Sequence, residues 1–259
     1  MTAATAISSP AARGAGRAGR VANGLAWFAG LLALGCGVTE VLGGIGFRNG
    51  WWTYGTGIRM LRSAATTDLG AAALALIALL VAGWAGSRSG MLRGALALTL
   101  AVLVGGPPLM LSRQVGQLPR IHDVTTDTAN PPAFVVVLPL REGANSLDVL
   151  PEVIAQQKKG YPDIAPVVLP LAPAQAFARA GKVAREAGWE IVTASPAEGR
   201  IEATDTSLLF GFKDDIVIRV LPDAGGSRID ARSASRLGRS DFGVNARRIR
   251  KLMGALRVP

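Results

Sequence analysis

Three long apolar runs crowd the first 112 residues, and they decide more about this chain than any motif does. The first extends from Leu25 to Phe47. The second is LGAAALALIALLVAGWAG, Leu69 to Gly86, and the third is GALALTLAVLVGGPPLML, Gly94 to Leu111. About 20 apolar residues cross the hydrocarbon core of a bilayer. The runs therefore predict three transmembrane helices, over about 25–47, 69–86 and 94–111. The first is too long for the apolar core of a cleaved signal peptide and reads as an anchor. LALGC, ending at Cys36, matches a lipoprotein cleavage site only in part, because Ala33 stands where Leu is usual and the apolar run continues past the cysteine. Pro107 and Pro108 are expected to end or kink the third helix. Trp51, Trp52 and Tyr54 follow the first span, where an interfacial aromatic belt belongs. Ile58 to Arg62 suits a short surface-lying piece.

Four regions follow: a disordered, basic cytoplasmic arm over 1–20, a transmembrane region over 21–112, an irregular Pro-rich strap over 113–172, and a soluble core over 173–259. Arg13, Arg17, Arg20, Arg88 and Arg93 outweigh Arg48, Arg59 and Arg62 across the spans, which favours an inside N-terminus. Three spans then put residues 113–259 outside the cytoplasm, in the periplasm of a two-membrane bacterium. Glu40 lies inside the first span. A carboxylate at that depth is costly and marks either function or packing against another helix, here beside Gly43 and Gly44.

The soluble part reads as α+β. In the strap, FVVVLPL (134–140) predicts a short strand and 150–159 a short helix. YPDIAP (161–166) is extended because each Pro restricts its predecessor. The core begins with a helix over 173–188, opened by Pro173 and stopped by Gly188. Strands follow over 189–194, 200–210, 215–221 and 227–235. A change of side-chain parity requires a bulge or break between Asp205 and Leu208. DAGG (223–226) is a hairpin turn. A last helix carries the stripe Phe242, Ala246, Ile249, Met253 and Leu256, capped by Ser240 or Asp241. Helix, four antiparallel strands and helix form a layered, helix-grip-like domain.

The net charge is +10, with much of the excess near the C-terminus. That tail is an amphipathic helix without interleaved aromatics, so its arginines suit a solvated face or anionic lipid better than nucleic acid. One cysteine and one histidine exclude a disulfide framework and a multi-ligand zinc site within one chain. Nothing calls for a cofactor.

Three constellations remain. His122 and Asp123 suit an acid–base pair, or a strap fastened to the sheet. Asp214 and Asp215, with Glu202 or Asp205, suit a hard cation, or a cross-strand network with Arg219, Arg228 or Arg232. SASRLGRSD, with Arg236, Gly238, Arg239 and Ser240 before a helix, suits an anion cradle, or a capped turn.

IHDVTTDTANPP (121–132), QQKKGYPDIAP (156–166), GWEIV (188–192), GRIEATDTSLLFGFKDDIVIRV (199–220) and SRIDARSASRLGRSDFGVNARRIR (227–250) together resemble the bacterial and plastid family labelled domain of unknown function 1499. The likeness spans most of 119–257. It implies that His122, Asp123, Tyr161, Pro162, Asp163, Asp205, Thr206, Phe212, Lys213, Asp214, Asp215, Arg232, Ser233, Arg236, Asp241, Asn245 and Arg248 occupy the family's motifs. Hydrophobic spans often precede that domain. Leu208, Leu209 and the 134–152 stretch depart from its pattern. The resemblance transfers no activity.

The expectation is a membrane-anchored extracytoplasmic binding or interaction module, with lipid or an envelope protein as partner. Two alternatives stand beside it. One is a hydrolase built on His122, Asp163, Asp205, Asp214 and Asp215. The other is a membrane subunit that uses Glu40.

Overall fold

The computed structural model describes residues 10–116 and 118–257. The chain divides into two compact units, Met1–Gln114 and Val115–Pro259.

The first unit holds three helices: α1 (Pro10–Arg48), α2 (Tyr54–Trp84) and α3 (Arg88–Val115). Each contains a stretch long and apolar enough to cross a membrane. Helix is the form such segments take, because lipid offers no partner for an unpaired backbone N–H or C=O. Small residues line the interior at helical spacing: Ala22, Ala26, Ala29, Ala33 and Cys36 on α1, and Ala71, Ala75, Ala78 and Ala82 on α2. They meet in layers of one alanine per helix, Ala29 with Ala75 and Ala97, then Ala33 with Ala71 and Ala101. Lacking long side chains, the backbones approach closely, as apolar helices in lipid require.

α1 starts at Pro10, inside the stretch whose composition reads as an arm. Residues 1–9 and the Arg13 side chain lie outside the described residues. α2 starts at Tyr54, so the expected surface piece at 58–62 is instead the opening of the second span. This brings Asp68 inside that span, where it is buried and a Cβ on Gly105 would overlap its carboxylate. α3 passes through Pro107 and Pro108 without ending. Trp52 turns back onto α1. Its indole N–H donates to the Gly43 carbonyl at 3.1 Å, and a Cβ on Gly46 would overlap its ring.

The second unit is an antiparallel sheet with helices, so the chain as a whole is α+β. Its elements are β1 (Asp123–Thr125), α4 (Pro151–Gly160), β2 (Val167–Leu169), α5 (Pro173–Glu186), β3 (Glu190–Ser195), β4 (Arg200–Thr206), β5 (Lys213–Asp223), β6 (Gly226–Ser235) and α6 (Val244–Arg257). The strand order is β1-β6-β5-β4-β3, and β2 pairs with the other end of the β6 edge. Six strands replace the expected four. The two additional strands come from the Pro-rich region, where Pro166 and Pro170 bracket β2 and limit its length.

The expected break after Asp205 is real: β4 ends at Thr206. A separate irregularity lies between Ile191 and Thr193 of β3. The expected strand at 134–140 does not form. A 3-10 turn occupies Leu138–Arg141 instead.

One face of the sheet is apolar. Ile201, Ala203, Ile216, Ile218, Ile229 and Ala231 pack under Ala176, Ala180 and Ala184 of α5 and Ala246, Ile249 and Leu256 of α6. The alternation of side chains along a strand places Glu202, Thr204, Asp215, Asp230 and Arg232 on the opposite face. Residues 126–150 cover that face through a small cluster of Phe134 and Val137 on Val217 and Ala234.

Candidate functional site

The motif residues fall into two networks on opposite faces of the sheet. Under α6, Asn245 is fully buried. Its Nδ2 donates to the His122 carbonyl and to Ser235 Oγ, both at 3.0 Å. Its Oδ1 accepts from Ser233 Oγ at 2.7 Å and from Arg248 Nη1 at 2.6 Å. Arg248 Nη2 donates to Asp205 at 2.6 Å and to Asp214 at 2.8 Å. Asp205 and Asp214 are cross-strand partners, so one guanidinium bridges β4 and β5 to the helix. Such charge-assisted bonds are among the stronger ones a fold makes.

Asp241 completes this end. Its carboxylate accepts from the Gly243 N–H at 2.9 Å and the Asn245 N–H at 2.7 Å. Burial raises its pKa; Asp214 adds to the rise, while the two N–H groups and Arg248 offset part of it. To reach this geometry Phe242 takes a left-handed φ of 53°. The helix therefore begins later than the stripe suggests; Leu252 joins the core, and Phe242 is only half-buried.

On the opposite face Asp215 is fully buried. It accepts from Arg141 Nη1 at 2.5 Å, Thr204 Oγ1 at 2.8 Å, and Arg236 through Nε at 2.9 Å and Nη2 at 2.8 Å. Burial pushes its carboxyl up, but Arg236, Thr204 and Arg141 outweigh that and hold it below its ordinary value. Arg232 forks onto Asp123, at 2.6 Å through Nη2, and lies over the Phe134 ring. Asp230 accepts from Arg219 and Arg228. Glu202 is also fully buried; its carboxylate accepts from the Val135, Val136 and Val137 N–H groups at 2.9, 3.2 and 2.8 Å.

This geometry explains the missing strand. The N–H groups of 135–137 converge on a carboxylate, so they are not available to a ladder.

Consecutive strand residues face opposite sides, so Asp214 and Asp215 do not share a ligand. Asp163 is elsewhere, bidentate with Arg250 at 2.6 and 2.7 Å. The Arg250 hydrogen bond is the main cause that lowers its pKa. Arg250 also sits over the ring of buried Tyr161, whose pKa is raised by burial and by Asp241 against Arg250 and Arg247. His122 Nε2 lies 3.3 Å from the Ser146 carbonyl, and its neighbour Asp123 is engaged by Arg232. Of the residues proposed for hydrolysis, Asp205 and Asp214 meet at Arg248, while Asp215 lies on the other face and the side chains of His122 and Asp163 have other partners.

The SASRLGRSD turn is a capped turn. Asp241 supplies the anion at the helix N-terminus, and Ser240 Oγ accepts from the Phe242 N–H at 3.4 Å. Arg236 is directed inward, while Arg239 is exposed.

Both networks lie within a single stretch of sequence. A family model described as "Protein of unknown function (DUF1499)" matches residues 123–256, more than half of the chain. The chain belongs to the DUF1499 family. Neither the curated proteins nor the solved structures include a match to it.

The DUF1499 unit also carries a groove of about 350 Å³ between α5 and α6, within the usual range for small-ligand clefts. Val183, Ala187, Trp189 and Leu252 give it apolar walls, and Arg247, Arg248 and Lys251 give it positive charge. Glu186 and Asp205 also border it. Arg247 and Lys251 are exposed.

Sequence reasoning left Arg141 without a role, although it is buried against Asp215. The motif likeness omits it, and it follows an apolar run that reads as a strand. Glu202 left a better signal. With Thr204 it alternates with Ile201 and Ala203, a strand with one polar face, but the strap that buries that face was not legible.

Proposed function

We propose that the protein is a membrane-anchored, non-catalytic binding module, with its DUF1499 unit on the extracytoplasmic side and the α5–α6 groove as its ligand surface. One observation carries the reading. The carboxylates of the motif are engaged by arginines or backbone N–H groups of the same fold, which suits fasteners better than reactive groups. Arg247 and Lys251, exposed above apolar walls, favour a ligand with an anionic head and an apolar body. Envelope lipids and acidic peptides belong to that class.

The side of the membrane is tested by a C-terminal reporter fusion; activity of a cytoplasm-only reporter would sink the placement. The ligand surface is tested by native mass spectrometry of the full chain released from detergent. Bound anionic amphiphile should fall at least about tenfold in Arg247→Glu/Lys251→Glu, the loss of roughly 1.4 kcal/mol. Equal retention by the variant would count against the groove.

Asp68 supports a second reading. It is buried inside α2, its Oδ1 has no hydrogen-bond partner among the described residues, and the same holds for Oε1 of Glu40. Intramembrane carboxylates often mark ion or proton paths. Glu40→Gln and Asp68→Asn should then abolish any ion-dependent phenotype; full function of both variants would remove this reading.

A further inference from the structure

The sheet of the DUF1499 unit has one end where several loops meet. The β4–β5 connection is Ser207–Phe212, SLLFGF, closed by the Ser207 N–H on the Phe212 carbonyl at 2.8 Å. Leu208 at its tip is 89% exposed and Leu209 37%, while Phe210 and Phe212 stack beside them with centroids 4.9 Å apart. The β6–α6 connection runs alongside, since the Arg236 N–H bonds the Lys213 carbonyl at 3.0 Å, and it presents Leu237 at 42% exposure. Arg236 Nη1 then holds the Leu140 carbonyl at 2.6 Å, which brings in a third loop with Leu140 54% exposed.

Single exposed leucines are ordinary, but leucines clustered on loop tips mark an interaction surface. Around these tips Lys213, Arg239 and Arg120 are exposed, against the exposed acid Glu142 beside Leu140.

The same end is where the chain enters the unit. The Ser235 N–H bonds the His122 carbonyl at 2.8 Å, and the Asp241 N–H bonds the Ile121 carbonyl at 3.0 Å. Only residues 116–122 separate α3 from β1. Fully extended, a connection of that length spans at most about 25 Å. The chain therefore passes from its last apolar helix into the unit beside these loops.

We propose that this loop end is a membrane-docking surface. Leu208, Leu209, Leu237 and Leu140 enter the boundary between headgroups and acyl chains, and Lys213, Arg239 and Arg120 meet anionic headgroups. Apolar tips with a basic surround are the chemistry that seats proteins at that depth. The opposite end, with the β5–β6 turn at Ala224, stays in water. The inference does not depend on the α5–α6 groove.

The test uses the full chain in nanodiscs of phosphatidylethanolamine and phosphatidylglycerol. In a Cys36→Ala background, Leu208→Cys or Ala224→Cys is labelled with an environment-sensitive fluorophore, and quenching by doxyl-labelled lipid is measured. Both positions are exposed, so folding is not at stake. Quenching at position 208 should exceed that at 224 by roughly threefold or more, because interfacial side chains sit about 5–10 Å into the boundary. Adding Leu209→Ser and Leu237→Ser should bring the 208 signal down toward the 224 value. Equal quenching at both positions overturns the proposal. So does a label at 208 shielded from an aqueous quencher in native membranes but not quenched by doxyl lipid in them, the result expected of a protein partner.

Discussion

The two units of this chain bury opposite kinds of residue. In the three-helix unit alanines fill the interior, while Trp27, Phe28, Leu31, Leu80 and Leu103 face outward. In the DUF1499 unit isoleucines fill one face of the sheet, and charged residues are buried on both faces in ion pairs. The difference is one of solvent. Lipid gives large side chains no reason to leave the surface, so close approach decides which residues go inside. Water drives large side chains inward and makes a buried charge tolerable only when it is paired.

Acid should separate the two units most sharply. The folded pKa values of Asp215, Asp127 and Asp163 lie below their ordinary value. For Asp127 burial acts upward, but the Asn130 and Ala129 N–H groups, Arg228 and Arg219 outweigh it. A carboxylate depressed in the folded state adds stability above its unfolded pKa of about 4, and this is lost as pH falls through the lower folded value. Asp241 has the opposite sign: its raised pKa weakens folding as pH rises above about 4, so protonating it gives back some stability in acid. Asp241 therefore acts against the loss from the other three. Far-UV circular dichroism in detergent should show the strand signal collapsing as pH falls below the ordinary carboxylate range while the helical signal persists. Parallel loss of both signals would erase the contrast.

Next in size is Arg248→Ala, which leaves Asp214 and Asn245 buried without their guanidinium. About 3–5 kcal/mol of the sheet unit's stability should disappear, read by urea denaturation of the full chain in detergent. Glu202→Gln keeps the shape but removes the charge that gathers three strap N–H groups. It should cost about 1–3 kcal/mol and raise amide exchange at 135–137.

In the helical unit, Ala75→Leu overfills the layer with Ala29 and Ala97. A loss of about 1–3 kcal/mol should lower the melting temperature of the helical signal and leave the strand signal unchanged. Arg250→Ala breaks a pair whose side chains are 41% and 53% exposed. The cost should stay below about 1 kcal/mol, and a larger value would mean that the Tyr161 contact matters more than exposure suggests.

Much of this architecture could be read from local pattern. The three apolar runs, the α5 and α6 stripes and the hairpin at Asp223–Gly226 each announce themselves through periodicity or turn chemistry within a short window. Ala180 and Ala184 repeat at the spacing that turns one helix face to the sheet. Less legible were the pieces whose conformation depends on distant partners. Val135–Val137 have strand propensity, yet three of their N–H groups close on Glu202. Asp68 interrupts the hydropathy and so stands just before the second apolar run, although the helix begins at Tyr54. Arg236 suits an anion by its place before a helix, but Asp215 holds it.

The sequence by itself determined which part of the chain suits lipid, which part forms an antiparallel sheet under helices, and which family it belongs to. Those properties follow from composition, side-chain period and motif order, all summed along neighbouring residues. Only the tertiary structure decided that the motif charges are spent on one another across two sheet faces, and that the loops beside the chain's entry point carry exposed leucines. Pairing between residues far apart depends on register and on what covers each face, and neither is encoded in any local window.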